Sequence, residues 1–384
     1  MVVKPAEGVS VIVKATHGCN LGCGYCYTHP NAEKGVMDQG TLENMIYKVA
    51  SYNHSSRGVD ETNFVWHGGE PLLLGVDFYR EAVRIEISIE DHLFDNEVQT
   101  NATLVTPEFL DFFEQHHFKV GVSMDGFAAT HNANRPYANG QPSFDDVFAS
   151  LMALRERKLT SGVLCILNKN TLPHLEEIYE FLRERGISAK VNVQFPAGRA
   201  LDTKLDISPA QFGRAMIKLF DLWFYDAREP TIDIDPFAEI LYNLGLARNT
   251  EHRLESPMGC NSRNNCINSF ISVVPGGNVY PCGRFAGESA FYMGNINADS
   301  MEAIMSSKPV LLFQQRHTQG VQSCAPCEYK PICNSGCADQ AYLMRGSVLE
   351  KDGFCPGYKA LFTHIEMAVR KELGGETHAR PSAK

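Results

Sequence analysis

The sequence predicts an α/β fold: a partial (β/α)6 barrel followed by a smaller, cysteine-rich domain. Three observations lead to this prediction. Short apolar runs alternate with helical patterns between residues 9 and 207, which indicates parallel βα units. Six such units without a Gly-x-Gly-x-x-Gly fingerprint favour a barrel over a dinucleotide-binding sheet. Eight of the twelve cysteines fall between residues 260 and 355, so a second domain is expected there.

Length and composition limit the possible functions. A chain of 384 residues is too long for one ordinary core and suggests about two domains. The net charge of −10 and the pI near 5.7 argue against a nucleic-acid partner. No apolar run reaches about 18 residues and the N-terminus lacks a signal peptide, so we expect a cytoplasmic protein without a membrane partner. In that reducing compartment, many cysteines indicate metal binding rather than disulfides.

The barrel prediction depends on strands and helices in strict alternation. Pro107 is expected in the first turn of its helix, where its missing N–H costs nothing. The carboxyl ends of parallel strands gather at one end of a barrel, and ligands bind there. The predicted strands are 9–14, 63–66, 97–101, 119–124, 163–167 and 190–195, and the predicted helices are 39–52, 75–90, one opening near 107, 144–157 and 171–185.

The remaining segments complete the predicted domain map. Residues 1–8 are expected to form an N-terminal arm, 9–207 the barrel, 208–254 a helical connector, 255–373 the cysteine-rich domain and 374–384 a disordered tail. Within the cysteine-rich domain, a hairpin is predicted from 270–274 and 279–282 around the turn at 275–278. A closing helix is predicted at about 357–373.

A cysteine loop follows the first predicted strand and has the spacing Cys19-x3-Cys23-x2-Cys26. A four-iron cluster usually takes four cysteine ligands. Three thiolates therefore leave one iron open for another ligand, unless a distant cysteine completes a structural iron–sulfur or zinc site. The second strand ends in Gly68-Gly69-Glu70-Pro71, in which the glycines would allow close backbone approach and Glu70 could accept a hydrogen bond from an ammonium group.

The cysteine loop and the Gly-Gly-Glu-Pro segment together resemble the radical S-adenosylmethionine (SAM) enzymes. The resemblance implies that Cys19, Cys23 and Cys26 hold a [4Fe–4S] cluster whose open iron is chelated by SAM. It implies that one electron then cleaves SAM to a 5′-deoxyadenosyl radical, which abstracts a substrate hydrogen. Taken singly, each residue matching a SAM contact could equally have an ordinary loop role. These residues are Tyr25, Gly68, Gly69, Glu70 (to the amino group), Gln99, Asn101, Ser123, Asp125 and Arg135, whose guanidinium suits the SAM carboxylate.

The eight C-terminal cysteines form two possible sets of four. On spacing alone, zinc and iron–sulfur sites are both open. Their order resembles the SPASM extension of radical SAM enzymes, which implies two fully ligated auxiliary [4Fe–4S] clusters that move electrons. By this resemblance the first cluster is held by Cys260, Cys266, Cys282 and Cys337, and the second by Cys324, Cys327, Cys333 and Cys355.

The layout is most similar to the anaerobic sulfatase-maturating enzymes, which oxidise Cys or Ser of a client protein to formylglycine. The resemblance implies an acidic base directly after the cysteine that ends the hairpin, but here Gly283 follows Cys282. We therefore favour a sibling activity, in which a cross-link is formed within a ribosomally made precursor peptide. Formylglycine formation, dehydrogenation or epimerisation of a small molecule such as an amino sugar, and a zinc-based binding module are the alternatives.

The expected partners are a precursor peptide or protein and an electron donor such as flavodoxin or ferredoxin. The first barrel strand begins near residue 9, so we expect no N-terminal peptide-recognition domain. Either the barrel or a separate protein would then read the leader. The sequence does not identify a catalytic residue; the two candidates are Cys165 and Arg284. Cys165 lies in an apolar strand, where a buried packing role is the usual one and a thiol hydrogen donor is the alternative.

Overall fold

The computed structural model describes residues 8–29, 32–160, 162–246, 260 and 266–372. Its strands form one ten-stranded sheet in the order β10-β9-β8-β1-β2-β3-β4-β5-β6-β7, in which β1 to β7 are mutually parallel. The α/β prediction with a parallel barrel sheet is therefore confirmed. The strands are β1 (Ser10–Val13), β2 (Glu61–Trp66), β3 (Leu93–Thr100), β4 (Lys119–Ser123), β5 (Gly162–Leu167), β6 (Ser188–Val193), β7 (Ile234–Asp235), β8 (Phe270–Val273), β9 (Asn278–Tyr280) and β10 (Gly294–Asn295).

The helices between the barrel strands cover the outer face of the sheet. Their starts follow local signals: Asp38 caps the first helix through Thr41 N, Thr106 caps the helix that opens at Pro107, and Ser208 forms a capping box with Gln211. The helices are α1 (Gln39–Tyr52), α2 (Val76–Ile87), α3 (Pro107–Gln115), α4 (Ala128–Asn134), α5 (Phe144–Glu156), α6 (Leu175–Glu184), α7 (Ala200–Thr203), α8 (Pro209–Phe224), α9 (Phe237–Leu246), α10 (Met301–Ile304), α11 (Lys308–Thr318), α12 (Lys330–Cys333), α13 (Ala338–Arg345) and α14 (Cys355–Glu372).

The core lies between the barrel strands and these helices. In β2, Phe64 and Trp66 are buried against the helices, while Val65 between them is only half-buried and faces the other side of the sheet. Trp66 donates through Nε1 to Asn96 Oδ1 at 2.7 Å, so its polar atom is satisfied within the core. The alternation leaves one side of the strands facing a barrel interior, which we call the lumen.

The cysteine-rich region is joined to the barrel by main-chain pairing. Strand β8 runs parallel to β1, with Ser10 opposite Phe270 and Val13 opposite Val273, and the predicted hairpin continues the sheet through β9. Helix α14 packs on α8, where a Cβ on Gly213 would lie 2.9 Å from Gly357 Cα. The two regions therefore share a sheet and a helix pair.

Some predicted segments differ from the structure. The predicted helical connector contains the short strand β7 between α8 and α9, and β7 pairs with β6. The predicted arm at 1–7 and tail at 374–384 lie outside the described residues, as do 247–254 of the predicted connector. Among the helices that the structure describes, none is long and apolar enough to span a bilayer.

Candidate functional site

The cysteine loop leaves β1 at the carboxyl end of the strands and is held from two sides. On one side, Gly69 N donates to Thr16 O at 2.9 Å and Glu70 N to Gly18 O at 2.7 Å. On the other side, Gly22 N donates to Pro136 O at 2.7 Å in the segment after α4. Cys19, Cys23 and Cys26 are free thiols, and burial raises the pKa of Cys23 to about 12. Three free thiols on one anchored loop suit an iron–sulfur cluster with one open iron.

The two glycines of the Gly-Gly-Glu-Pro segment are required by contact with the cysteine loop. A Cβ on Gly69 would lie 2.1 Å from Gly18 O, and a Cβ on Gly68 would lie 2.2 Å from Thr16 O. Gly68 also has a φ of +129°, which other residues rarely adopt. The sequence predicted close backbone approach here, and in this structure the approaching backbone is that of the loop itself.

Glu70 is fully buried and its carboxylate joins the segment after β2 to the end of β3. Oε1 accepts from Leu72 N at 2.9 Å and Thr100 Oγ1 at 2.6 Å, and Oε2 accepts from Asn101 N at 2.7 Å. Burial raises the pKa of Glu70 to about 7, against the effect of these three donors. A carboxylate has about four acceptor positions. The expected contact with the SAM amino group therefore stays a prediction, to be met by the one position left.

Asp125 is the centre of a second buried network. Its oxygens accept from Tyr25 OH at 2.6 Å, Ile166 N at 2.8 Å and Asn134 Nδ2 at 3.2 Å. They also accept from Arg135 Nε at 3.0 Å and Nη2 at 3.3 Å. The Arg135 guanidinium, which we expected to meet the SAM carboxylate, is thus paired with Asp125 inside the protein. This network fixes Tyr25 of the cysteine loop against the ends of β4 and β5.

Gln99, Asn101 and Ser123 lie together at the ends of β3 and β4. Gln99 Nε2 donates to Ser123 Oγ at 2.9 Å, and Asn101 Nδ2 lies 3.8 Å from Cys19 Sγ. Gln99 also lines a cavity of about 920 Å³, which extends to Lys119 and Gly162 at the amino ends of β4 and β5. Of the residues predicted to contact SAM, Gln99 therefore borders this cavity, whose volume is in the range that holds small ligands.

A lumen cluster connects the two cysteine regions and comprises Lys14, Tyr27, His67, Phe195 and Arg284. Sequence reasoning singled out Arg284 but missed its association with the other four residues. Lys14 Nζ lies 4.8 Å from the centre of the Tyr27 ring, and Tyr27 makes edge contacts with His67 and Phe195. The Arg284 guanidinium stacks 4.0 Å from the centre of Phe195. The one available signal was a lysine that ends an otherwise apolar strand directly before the cysteine loop.

The polar members of the lumen cluster are strongly affected by burial. Burial lowers the pKa of Lys14 to about 8, although the neighbouring thiols of Cys282 and Cys26 act in the opposite direction. Burial, and then the Lys14 charge, lowers the pKa of His67 to about 4, so its imidazole is neutral. Nδ1 of His67 accepts from Gly68 N at 2.8 Å, which places the proton on Nε2.

Gln194 follows β6, directly before Phe195, and carries a buried amide that is unpaired among the described residues. It is 2% exposed, and neither its amide nitrogen nor its oxygen has a hydrogen-bond partner among the described residues. A buried polar group without a partner is costly and calls for an explanation. A ligand that offers both a donor and an acceptor would supply the missing bonds.

Several C-terminal cysteines lie near other members of their predicted sets. Burial raises the pKa of Cys333 to about 12, and Cys355, Cys324 and Cys327 are near enough to raise it further. Burial likewise raises the pKa of Cys282 and Cys337, and Cys260 adds to both effects. Among the described residues, no three His, Cys, Asp or Glu side chains converge closely enough to hold a single metal ion. The ligand assignments therefore remain predictions supported by proximity.

Arg284 and Cys165 were the two candidates for catalysis. Arg284 Nη1 lies 3.4 Å from Cys337 Sγ and 4.0 Å from Asp339, which places it beside a predicted cluster ligand. Cys165 is 5% exposed and packs among apolar side chains such as Leu182 of α6 and Leu219 of α8. It therefore faces the helices and not the lumen, which fits the packing role and corrects the suggestion of a thiol hydrogen donor inside the barrel.

Comparisons with known proteins agree with this architecture. A model of the radical SAM superfamily matches residues 13–182, and a model of SPASM, an iron–sulfur cluster-binding domain, matches residues 265–328. The cysteine-type anaerobic sulfatase-maturating enzyme of Clostridium perfringens (strain 13 / Type A) is 26% identical over 93% of this chain and 96% of its own length. The serine-type enzyme of Klebsiella aerogenes is 26% identical over 93% of this chain and 85% of its own length.

Two solved structures show the same fold. One is native anSMEcpe with bound AdoMet and Kp18Cys peptide, with a TM-score of 0.82, 24% identity and coverage of 95% of this chain and 99% of that one. The other is Streptococcus suis SuiB bound to precursor peptide SuiA, with a TM-score of 0.65, 13% identity and coverage of 91% and 76%.

The family matches decide between the metals that spacing alone left open. A radical SAM domain uses SAM and a [4Fe–4S] cluster, and a SPASM domain binds auxiliary iron–sulfur clusters. The zinc-based binding module is therefore excluded as the explanation of the cysteines. This chain contains a radical SAM domain at residues 13–182 and a SPASM domain at residues 265–328.

Proposed function

We propose that this chain is a radical SAM enzyme that oxidatively modifies a side chain of a peptide or protein, and that it forms a cross-link within that peptide. The class of substrate is supported by two relatives that are named as sulfatase-maturating enzymes. This chain matches 96% of the length of one and 85% of the length of the other. It is also supported by a solved relative of the same fold that holds a peptide.

The residues of the site have distinct roles in this proposal. Cys19, Cys23 and Cys26 would hold the cluster that, with SAM bound, supplies a 5′-deoxyadenosyl radical able to abstract a hydrogen atom. Glu70 ties Thr100 and Asn101 to the cysteine loop and so orients the SAM contacts. In this proposal the substrate side chain enters the barrel beside these contacts, at the carboxyl ends of the strands.

Gln194 is the residue best suited to hold a peptide in the lumen. Its buried amide lacks both a donor and an acceptor partner among the described residues. A peptide group offers one N–H and one C=O, which match the two unpaired atoms. We therefore assign Gln194 to a main-chain amide of the substrate.

The observation that carries the choice of a cross-link is the space beside Gly283. Resemblance to the sulfatase-maturating enzymes implies an acid there, but a Cβ at Gly283 would lie 3.0 Å from Lys14 Cε and 3.8 Å from Lys14 Nζ. The position next to Cys282 thus presents the lysine side chain and no carboxylate. A site with this arrangement lacks the base implied for formylglycine formation. The proton that the substrate loses after hydrogen abstraction must therefore be taken up by another group.

The experiment is an anaerobic assay with SAM, a reductant and, as candidate substrates, synthetic peptides translated from short open reading frames next to the gene of this chain. Cross-linking predicts production of 5′-deoxyadenosine and loss of two hydrogens from the peptide, without an aldehyde that reacts with a hydrazide probe. The variant Cys23→Ala, which removes a predicted ligand, is expected to abolish both changes. Production of 5′-deoxyadenosine with an unchanged peptide would contradict the proposal for that substrate.

Formylglycine formation is the second candidate. The relatives from Clostridium perfringens and Klebsiella aerogenes are named as sulfatase-maturating enzymes, and resemblance to that group implies this activity. Conversion of serine also removes two hydrogens, so mass alone does not distinguish it from a cross-link. Conversion of cysteine removes two hydrogens and also exchanges sulfur for oxygen, so its mass change is distinct. A sulfatase-derived peptide incubated under the same conditions should remain unmodified; a hydrazide-reactive aldehyde in that peptide would replace the cross-linking proposal with this one.

A further inference from the structure

Two cations lie against the predicted first auxiliary site. Arg284 follows Gly283 in the segment that carries Cys282, and its Nη1 approaches Cys337 Sγ at 3.4 Å. This contact is within the range for an N–H donor to sulfur. The guanidinium is held in place by its stacking on Phe195 at 4.0 Å, and its side chain is only 20% exposed.

Lys14 lies between the two cysteine regions. It is 1% exposed, its amine lies over the ring of Tyr27, which follows Cys26, and its Cε lies 3.0 Å from the Cβ position of Gly283, which follows Cys282. The absence of a side chain at Gly283 is what makes room for it. Its main chain is fixed as well, because Lys14 N donates to Val273 O at 2.8 Å.

We propose that Arg284 and Lys14 raise the reduction potential of the auxiliary cluster whose predicted ligands include Cys282 and Cys337. Reduction adds one negative charge to a cluster, and a nearby positive charge stabilises the more negative state. A hydrogen bond to a ligand sulfur acts in the same direction. Arg284 supplies both effects, and Lys14 supplies charge alone. Asp339, 4.0 Å from Arg284, and Asp352, whose Oδ2 accepts from Cys337 N at 2.9 Å, offset part of this charge, while Arg316 adds a further cation near Cys337 and Cys266.

Redox titration followed by electron paramagnetic resonance tests this proposal without any peptide. In a background in which Cys19, Cys23 and Cys26 are alanine, only the two auxiliary clusters contribute. We expect Arg284→Gln to lower the midpoint potential of one transition by about 59 mV. For a one-electron couple this corresponds to an oxidised-to-reduced ratio about tenfold higher at a fixed potential. Lys14→Met should lower the midpoint potential of the same transition by a smaller amount. The midpoint potential of the other transition should not change in either variant.

Charge-matched controls separate the effect of charge from structural damage. Arg284→Lys keeps the charge and should retain most of the potential. Lys119→Met removes an exposed cation that is paired with Asp95 at the amino end of β4, and it should shift neither transition. An unchanged midpoint in Arg284→Gln with full iron content overturns the proposal, as does an equal fall in Arg284→Lys. If Arg284→Gln loses iron, the midpoint potential of Lys14→Met becomes the test. An unchanged midpoint potential in Lys14→Met overturns the proposal.

Discussion

At the scale of single residues, the motif residues have partners that the sequence does not show. Glu70 and Asp125 were expected at the SAM site, and both lie at strand ends beside the cysteine loop, where Glu70 N donates to Gly18 O and Asp125 accepts from Tyr25 OH. Yet each carboxylate is buried and accepts several hydrogen bonds from the protein itself. A motif indicates which residue type stands at a strand end. It does not indicate that the same residue also ties the strands together, because its partners come from distant segments.

Glu86 leads to a prediction about pH, at a position away from the cysteines. On α2 it is 5% exposed, its Oε2 accepts from Asn96 Nδ2 at 2.9 Å, and its Oε1 has no partner among the described residues. Burial raises its pKa from 4.5 to about 7. The folded state therefore holds a proton that the unfolded state has lost. The contribution of Glu86 to the free energy of unfolding is fully present below pH 4.5. It is lost as pH rises from 4.5 through 7, by about 3 kcal/mol in total.

Glu86→Gln tests this pH dependence, because glutamine resembles the protonated acid. The variant and the parent should have similar melting temperatures below pH 4.5, and the variant should melt higher above pH 7. Thermal unfolding of both proteins across this range, under anaerobic conditions, measures the difference. Glu184→Gln, at an exposed position, should show no such trend. Parallel curves for parent and Glu86→Gln would contradict the assigned pKa.

At the scale of elements, the cysteine loop is positioned by its neighbours and not by its own sequence. Gly69→Ala should displace the loop, because the new Cβ would lie 2.1 Å from Gly18 O and 2.5 Å from His17 O, and backbone cannot move aside cheaply. We expect the iron content to fall by the equivalent of one cluster and 5′-deoxyadenosine formation to drop at least tenfold. Iron and sulfide analysis after anaerobic reconstitution provides the measurement.

A matched glycine on α9 provides the control for that substitution. A Cβ on Gly245 would meet no atom of the described part of the chain within 4 Å, so Gly245→Ala should keep its iron and its activity. Full iron content in Gly69→Ala would show that the loop tolerates the displacement. The close contact would then have no role in holding the cluster.

The elements that were predictable from sequence are those specified by local signals. Helix α1 has the predicted bounds, and α3 begins at the predicted Pro107, because apolar periodicity and caps lie within the segment itself. Strand β7 and the pairing of β8 with β1 were missed. A two-residue strand has no measurable period, and pairing between residues 10–13 and 270–273 leaves no local trace.

At the scale of the whole molecule, the barrel and the SPASM region form one structural unit. The sheet runs from β10 through β1 to β7, so the hairpin of the second region is the continuation of the barrel. On the outer surface, α14 crosses α8 where Gly357 meets Gly213. Since α14 begins at Cys355, this crossing also positions a predicted ligand of the second auxiliary cluster.

Gly357→Val tests the role of that crossing. A Cβ at Gly357 would lie 2.5 Å from Pro209 O and 2.7 Å from Phe212 Cδ1, so valine must push α14 away from α8. Cys355 would move with its helix, and the iron content should fall by the equivalent of one cluster while the cysteine loop keeps its own. Met367→Val, at a position of the same helix that is 66% exposed, should leave the iron content unchanged. Because β8 still pairs with β1, Gly357→Val should remain folded. Full iron content in Gly357→Val would show that Cys355 is not positioned by this contact, or is not a ligand.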